Sequence, residues 1–242
     1  MNIINNRQIV LDTETTGMNT IGAHYEGHRI IEIGAVEIIN RQLTGKNFHV
    51  YLKPNRLVDI KAFNIHGISD NFLSNQPKFN EVAKSFFKYI VNTELIIHNA
   101  AFDIGFIDYE FSLLMKKKFK LENFCKITDS LKIARKLFPG KRNSLNALCS
   151  RYNINNNKRI LHGALLDAEI LAQVYLLMTS GQISFSFHQR KSYDKDIDYN
   201  KIHKKNKVLN LPIIYAKTND IEQHIKLLKI IKKTNKNCLW NS

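Results

Sequence analysis

The chain has 242 residues, 44% of them hydrophobic, and a formal charge of +15, enough to bury a full core as one large domain plus an appendage or as two small domains. Cys125, Cys149 and Cys238 are far apart and form no Cys-x-x-Cys pair, which excludes a disulfide frame or thiolate zinc site and fits a reducing compartment. The first seven residues lack a signal peptide's basic and apolar regions, and the longest apolar runs, such as 170–178, are shorter than a bilayer span, so a cytoplasmic protein with no membrane contact is expected.

Arg7-Gln8-Ile9-Val10-Leu11 reads as a β-strand that ends in Asp12 and Glu14, followed by Thr15-Thr16-Gly17. Side chains alternate along a strand, so Asp12 and Glu14 share a face while Thr13 points away. Two adjacent acids at a buried strand end repel each other unless a cation sits between them. Alone, the pair reads equally as a solvated strand end or as the approach to a helix capped by Thr15 or Thr16.

Arg29 to Ile39 predicts a long strand and Asn47 to Lys53 another, joined as a hairpin through Asn40 to Gly45. Together with the first strand they form an antiparallel meander. Pro54 to Ser69 is irregular with a short helical piece, and Phe79 to Ile90 has helical spacing at Phe79, Val82, Phe86 and Ile90. The pattern then changes. Glu94-Leu95-Ile96-Ile97-His98 is a nearly all-apolar strand of the kind buried on both faces, with a helix from about Asp103 to Leu114 behind it. A short strand near Cys125 to Thr128 leads into a helix over Asp129 to Leu137, Ser144 caps a helix over Leu145 to Tyr152, and Gly163 to Met178 forms the last helix of the body. A meander followed by strand-helix alternation is an α/β mixed sheet, antiparallel and parallel, flanked by helices.

Beyond residue 180 the composition shifts. Thirteen of the 36 Lys and Arg but five of the 21 Asp and Glu lie there, so this stretch carries +8 of the +15. A polyanionic partner and the Lys, Asn and Ile bias of AT-rich codons both account for that excess. Residues 188–207 are polar enough to form a linker. Order is expected again over 208–242, with a helix capped by Asn219 and Glu222 that carries Ile221, Ile225, Leu228 and Ile231 on one stripe. A helix this short is marginal alone, so it docks either on another protein or back on the body.

Asp103 lies at a helix start, His162 ends an Asn-rich loop, and Asp167 follows in the first turns of the last helix. Four carboxylates suit hard cations such as Mg2+ or Mn2+, and an imidazole nearby can take a proton near neutral pH. Each of the three also has a plain reading, as an early-helix acid or a surface histidine.

Asp-Thr-Glu-Thr-Thr-Gly at 12–17, His-Asn-Ala-Ala-Phe-Asp at 98–103 and His162 with Asp167 resemble the three exonuclease motifs of the DnaQ-like, DEDDh family. Residues 22–28, 126–131 and 138–145 resemble its proofreading branch, the epsilon subunits of bacterial DNA polymerase III, and the likeness runs from residue 7 to about 187 before resuming weakly over the last thirty or so. The resemblance implies a ribonuclease H-like fold and 3′→5′ hydrolysis of single-stranded or frayed DNA ends, releasing 5′-monophosphates and removing mismatches during replication. It implies that Asp12, Glu14, Asp103 and Asp167 hold two Mg2+ or Mn2+ ions, with His162 as general base. Thr15, Asn99 and Phe102 seat the terminal nucleotide, as do His66 and His98 unless those two are structural histidines. It also implies an exonuclease domain over 1–181 and a sliding-clamp (beta) peptide over 182–187, anchored by Gln182, Phe185 and Phe187. A segment over 208–242 docks on the polymerase catalytic (alpha) subunit, and a small theta-type subunit binds the exonuclease body. The linker departs from the family's Gln-rich pattern.

Overall fold

The computed structural model describes residues 7–156, 161–180 and 215–234. The chain divides into two units, 1–185 and 186–242. In the first, a six-stranded sheet has the order β3-β2-β1-β5-β6, with β4 also on β2. Its strands are β1 (Arg7–Thr15), β2 (Ile30–Ile39), β3 (Gln42–Leu43), β4 (Phe48–Tyr51), β5 (Glu94–Ile97) and β6 (Lys126–Asp129). β1, β2, β3 and β4 pair antiparallel, and β1, β5 and β6 pair parallel. This is the mixed sheet that the two patterns imply.

Both faces of the sheet are covered, which is why β1 and β5 read as nearly continuous apolar runs. On one face Ile9, Leu11 and Leu95 pack with Phe86 of α3 (Phe79–Ile90) and Phe106 of α4 (Ala101–Met115). On the other, Val10, Val36 and Ile96 pack against α5 (Ser130–Leu137), α6 (Leu145–Arg151) and α7 (Ala164–Thr179). Phe86 and Phe106 are fully buried, each worth about 1.5–3 kcal/mol of apolar transfer. Asp129 and Ser144 cap α5 and α6 through their side chains.

The third strand lies within the expected 47–53 as β4, and the structure corrects the hairpin that leads to it. Asn40 and Arg41 both take left-handed backbone (φ 50 and 63) in a two-residue turn, and the returning strand then breaks into β3 and β4. A primed turn of this kind matches strand twist, and it restarts pairing sooner than a loop reaching Gly45 would. The irregular stretch holds its short helical piece as α1 (Ile60–His66), and just beyond it an unanticipated α2 (Asp70–Leu73) is capped by Ser69.

In the second unit, α8 (Thr218–Thr234) starts one residue ahead of its expected cap. Asn219 lies inside the first turn, and Asp220 instead accepts a hydrogen bond from the Lys217 N–H. The proposed linker over 188–207, the peptide over 182–187 with Gln182, Phe185 and Phe187, and Cys238 lie outside the described residues. Cys125 and Cys149 are buried thiols, neither of them in a disulfide. No helix among the described residues is long and apolar enough to cross a membrane.

Candidate active site

β1 continues through the acid motif to Thr15, so the carboxylates sit within its last four residues. Asp12 lies opposite Gly34 and Glu14 opposite Glu32 of β2, on the face that carries α7. Thr13 faces the other way but is far from idle. Its buried hydroxyl donates to Asp103 Oδ1 at 2.7 Å, reaching across to the first turn of α4.

Asp103 is 3% exposed. Burial pushes its carboxyl up to about 7, while the Thr13 hydroxyl pulls it down. Asp167, in the first turn of α7, is equally buried, and His162 Nδ1 lies 3.3 Å from its Oδ2. The His162 ring is exposed, but its backbone N–H donates to Ile65 O of α1 at 3.1 Å. Donor atoms of Glu14, His162 and Asp167 all lie within 4.8 Å of one another.

Asp12, Glu14, Asp103, Asp167 and His162 line one cleft of about 850 Å³. The four acids and the imidazole, spread over more than 150 positions of sequence, share one cleft. His98, Asn99 and Phe102 line the same cleft. Asn99 takes a left-handed turn (φ 66) between β5 and α4, a conformation that suits Asn. His98 Nδ1 lies 2.9 Å from Ser130 Oγ, and burial lowers its pKa.

Thr15 and His66 line an adjoining hollow of about 820 Å³, with Met18, Ile60, Ala62 and Ile65 among its other walls. Phe102 belongs to both spaces, its ring stacked on His24 at 5.1 Å. His66 is buried and its pKa lowered by that burial, with Nδ1 accepting from the Ile68 N–H at 3.0 Å. Its Nε2 is the one buried side-chain polar atom without a hydrogen-bond partner among the described residues, although the Thr15 backbone lies close enough to favour the charged ring.

Sequence reasoning missed the Thr13 hydroxyl, the His24 stack on Phe102, and the basic flank of the cleft at Arg135 and Lys141. The Thr13 contact spans ninety residues, and no local periodicity signals it. Arg135 and Lys141 left a trace, as cations beside the Pro139-Gly140 turn.

The arrangement has known counterparts. A family described as Exonuclease matches residues 9–175. The DNA polymerase III subunit epsilon of Escherichia coli (strain K12) is 59% identical over 237 residues, covering 98% of each chain. That of Buchnera aphidicola subsp. Schizaphis graminum is 57% identical, covering 95% of this chain and 100% of its own. Among solved structures, exonuclease X in complex with 5′ overhanging duplex DNA aligns with a TM-score of 0.54 at 24% identity, covering 71% of this chain and 90% of that one. The nuclease domain of a DEDDh family member bound to rAMP aligns with a TM-score of 0.60 at 18% identity, covering 74% and 94%. The two structures establish the ribonuclease H-like fold, and the family match with the close relatives establishes the membership: this chain belongs to the exonuclease family, among its DNA polymerase III epsilon subunits.

Proposed function

We infer that the protein is a metal-dependent 3′→5′ DNA exonuclease that proofreads newly made DNA. The observation that carries this reading is the convergence of Asp12, Glu14, Asp103, Asp167 and His162 on one cleft. The donor set fits hard divalent cations: the oxygens are carboxylates, two of the acids are 3% exposed, and one is pushed up to about 7. Such a cluster is electrostatically costly until positive charge enters it. Asp12, Glu14, Asp103 and Asp167 would hold two Mg2+ or Mn2+ ions, which supply a polarised water and charge neutralisation at the scissile phosphate.

The protein's own groups do the rest. Asp167 orients the His162 ring through Nδ1, so the ring takes the proton of the attacking water. Thr15, His66, His98, Asn99 and Phe102 surround the space for the terminal nucleotide, where stacking and backbone contacts accept any base. A mispaired end frays at lower cost than a paired one, so the supply of single strand acts as the error filter.

The assembly reading rests on the relatives' name and on α8. Its Ile221, Ile225 and Ile231 are exposed on one stripe, which suits docking on the polymerase catalytic subunit. Residues 182–187 would bind the sliding clamp, and a theta-type subunit would bind the body. As a replication subunit, the protein acts in the cytoplasm.

The test is hydrolysis of 5′-labelled DNA with paired, mismatched and RNA 3′ ends, with and without EDTA. Stepwise shortening from the 3′ end, fastest on single-stranded or mismatched DNA and abolished by EDTA, is expected. EDTA-resistant or absent hydrolysis would overturn the nuclease reading, and a preference for RNA ends would redirect it to RNA trimming.

A further inference from the structure

We propose that Glu32 is a positioning residue for the catalytic cleft, holding the start of α7 so that His162 and Asp167 face Asp12 and Glu14. The proposal rests on the nuclease reading and adds to it a residue that does not line the cleft.

Glu32 is a lone acid in the apolar run Ile30-Ile31-Glu32-Ile33, and it is 2% exposed. A buried carboxylate is retained only when its oxygens are bonded. Here Oε2 accepts from the Ala164 N–H at 3.0 Å, and Oε1 lies 2.8 Å from His49 Nε2 on β4. Ala164 is the first residue of α7, and the position before it is Gly163, which has no side chain to cap the helix. Glu32 therefore supplies, from a neighbouring strand 132 positions away, a side-chain acceptor for a first-turn N–H, as an Asp or Ser at the N-cap ordinarily does.

Gly34 completes the seat. It faces the same side as Glu32, and a Cβ there would lie 2.2 Å from the Ala164 carbonyl carbon, so the first turn of α7 rests directly on the strand's backbone. Gly34 and Glu32 are the register partners of Asp12 and Glu14. The helix is thus fixed to the strand next to the acids that its own Asp167 must meet. The other side of the same segment is tied by His162 N–H to Ile65 O. Losing Glu32 frees one tie on the segment that carries His162 and Asp167.

The test compares Glu32→Ala, Glu32→Gln and a control, Glu37→Ala. Glu37 is a second buried acid on β2, bonded to Arg7 and Thr44 away from the cleft. Turnover and KM on single-stranded DNA in Mg2+, melting temperature, and Mn2+ affinity by calorimetry are measured for each. Glu32→Ala is expected to lose roughly 10- to 100-fold in kcat, with weaker Mn2+ binding and KM changed by less than about threefold, the scale of a lost supporting contact. Glu32→Gln keeps an acceptor for Ala164 and stays within about threefold of the parent in kcat. Glu37→Ala loses melting temperature but not turnover. Full turnover in Glu32→Ala, equal loss in Glu32→Gln, or equal loss in Glu37→Ala would each overturn the proposal. A parent protein without EDTA-sensitive hydrolysis would sink the nuclease reading itself, a separate outcome.

Discussion

Thr13 Oγ1 donates to Asp103 Oδ1 at 2.7 Å, and both residues are buried. This bond joins the two faces of the motif strand: Asp12 and Glu14 look toward α7, while Thr13 looks toward α4 and brings its acid to the strand's end. The hydroxyl favours the charged form of Asp103 against the burial that raises its pKa.

Thr13→Val keeps the shape and removes that donor. The Asp103 carboxyl then rises further above its present value of about 7. The acidic limb of kcat/KM against pH is expected to move to higher pH, with a loss of roughly tenfold near pH 6.5, the scale of a hydrogen bond to a charged group, and a smaller loss at alkaline pH. Parallel profiles for the two proteins would show that the bond does not tune Asp103.

Asp103 also makes a stability prediction for the metal-free protein. Its folded pKa of about 7 lies above the ordinary 3.8, so between those values the folded chain binds more protons than the unfolded one. Stability from this group is full below the ordinary value and is lost as pH rises through about 7. In EDTA, Asp103→Asn should therefore melt higher than the parent at pH 8, with the advantage shrinking at pH 5. An advantage independent of pH would rule out titration as the cause.

Asp12 and His162 separate the two halves of the chemistry. Asp12→Ala should abolish hydrolysis and reduce the rise in melting temperature that Mn2+ gives the parent, because a group that holds the ion carries part of that linkage. His162→Ala should leave most of the Mn2+ effect in place and slow turnover by roughly 10²- to 10⁴-fold, the loss expected for a general base. Its exposed ring makes misfolding a poor explanation for the loss. Near-parental turnover in His162→Ala would remove it from that role.

Much of this site was legible because its acids interrupt strong local patterns. Asp12 and Glu14 break an apolar strand, Asp103 lies in the first turn of a helix just after another, and Asp167 lies in the first turn of α7. The sheet followed for the same reason, since its meander and its parallel half carry different periodicities. What was hidden depends on contacts between distant segments. Glu32 is one polar position in an apolar strand, and its partner Ala164 is 132 positions away. Thr13 pointed away from its neighbours, as alternation requires, but toward Asp103. The left-handed pair Asn40 and Arg41 turns the chain back into β3 without the usual glycine signal.

Phe102 is the wall shared by the acidic cleft and the adjoining hollow, a position for stacking on a base. Phe102→Leu keeps much of the apolar volume and loses the ring. KM for single-stranded DNA should rise about tenfold, within the range of one lost base stack, while kcat at saturation changes less. An unchanged KM would place the terminal base elsewhere.

The second unit is testable without disturbing the first. α8 has 17 residues and basic side chains at Lys232 and Lys233 in its last turn, which complement the helix dipole but leave a short helix marginal in water. Its Ile221, Ile225 and Ile231 are exposed, so their apolar surface awaits burial, and each would contribute about 1.5–3 kcal/mol on a partner. Ile225→Asp combined with Ile231→Asp should weaken capture of the polymerase catalytic subunit by at least roughly 100-fold, the loss corresponding to two such side chains. Hydrolysis of free single-stranded DNA should be unaffected, because the acids, His162 and the nucleotide hollow all belong to the first unit. Undiminished capture would move the docking surface off this stripe. A parallel loss of hydrolysis would mean that the helix supports the catalytic body rather than the polymerase.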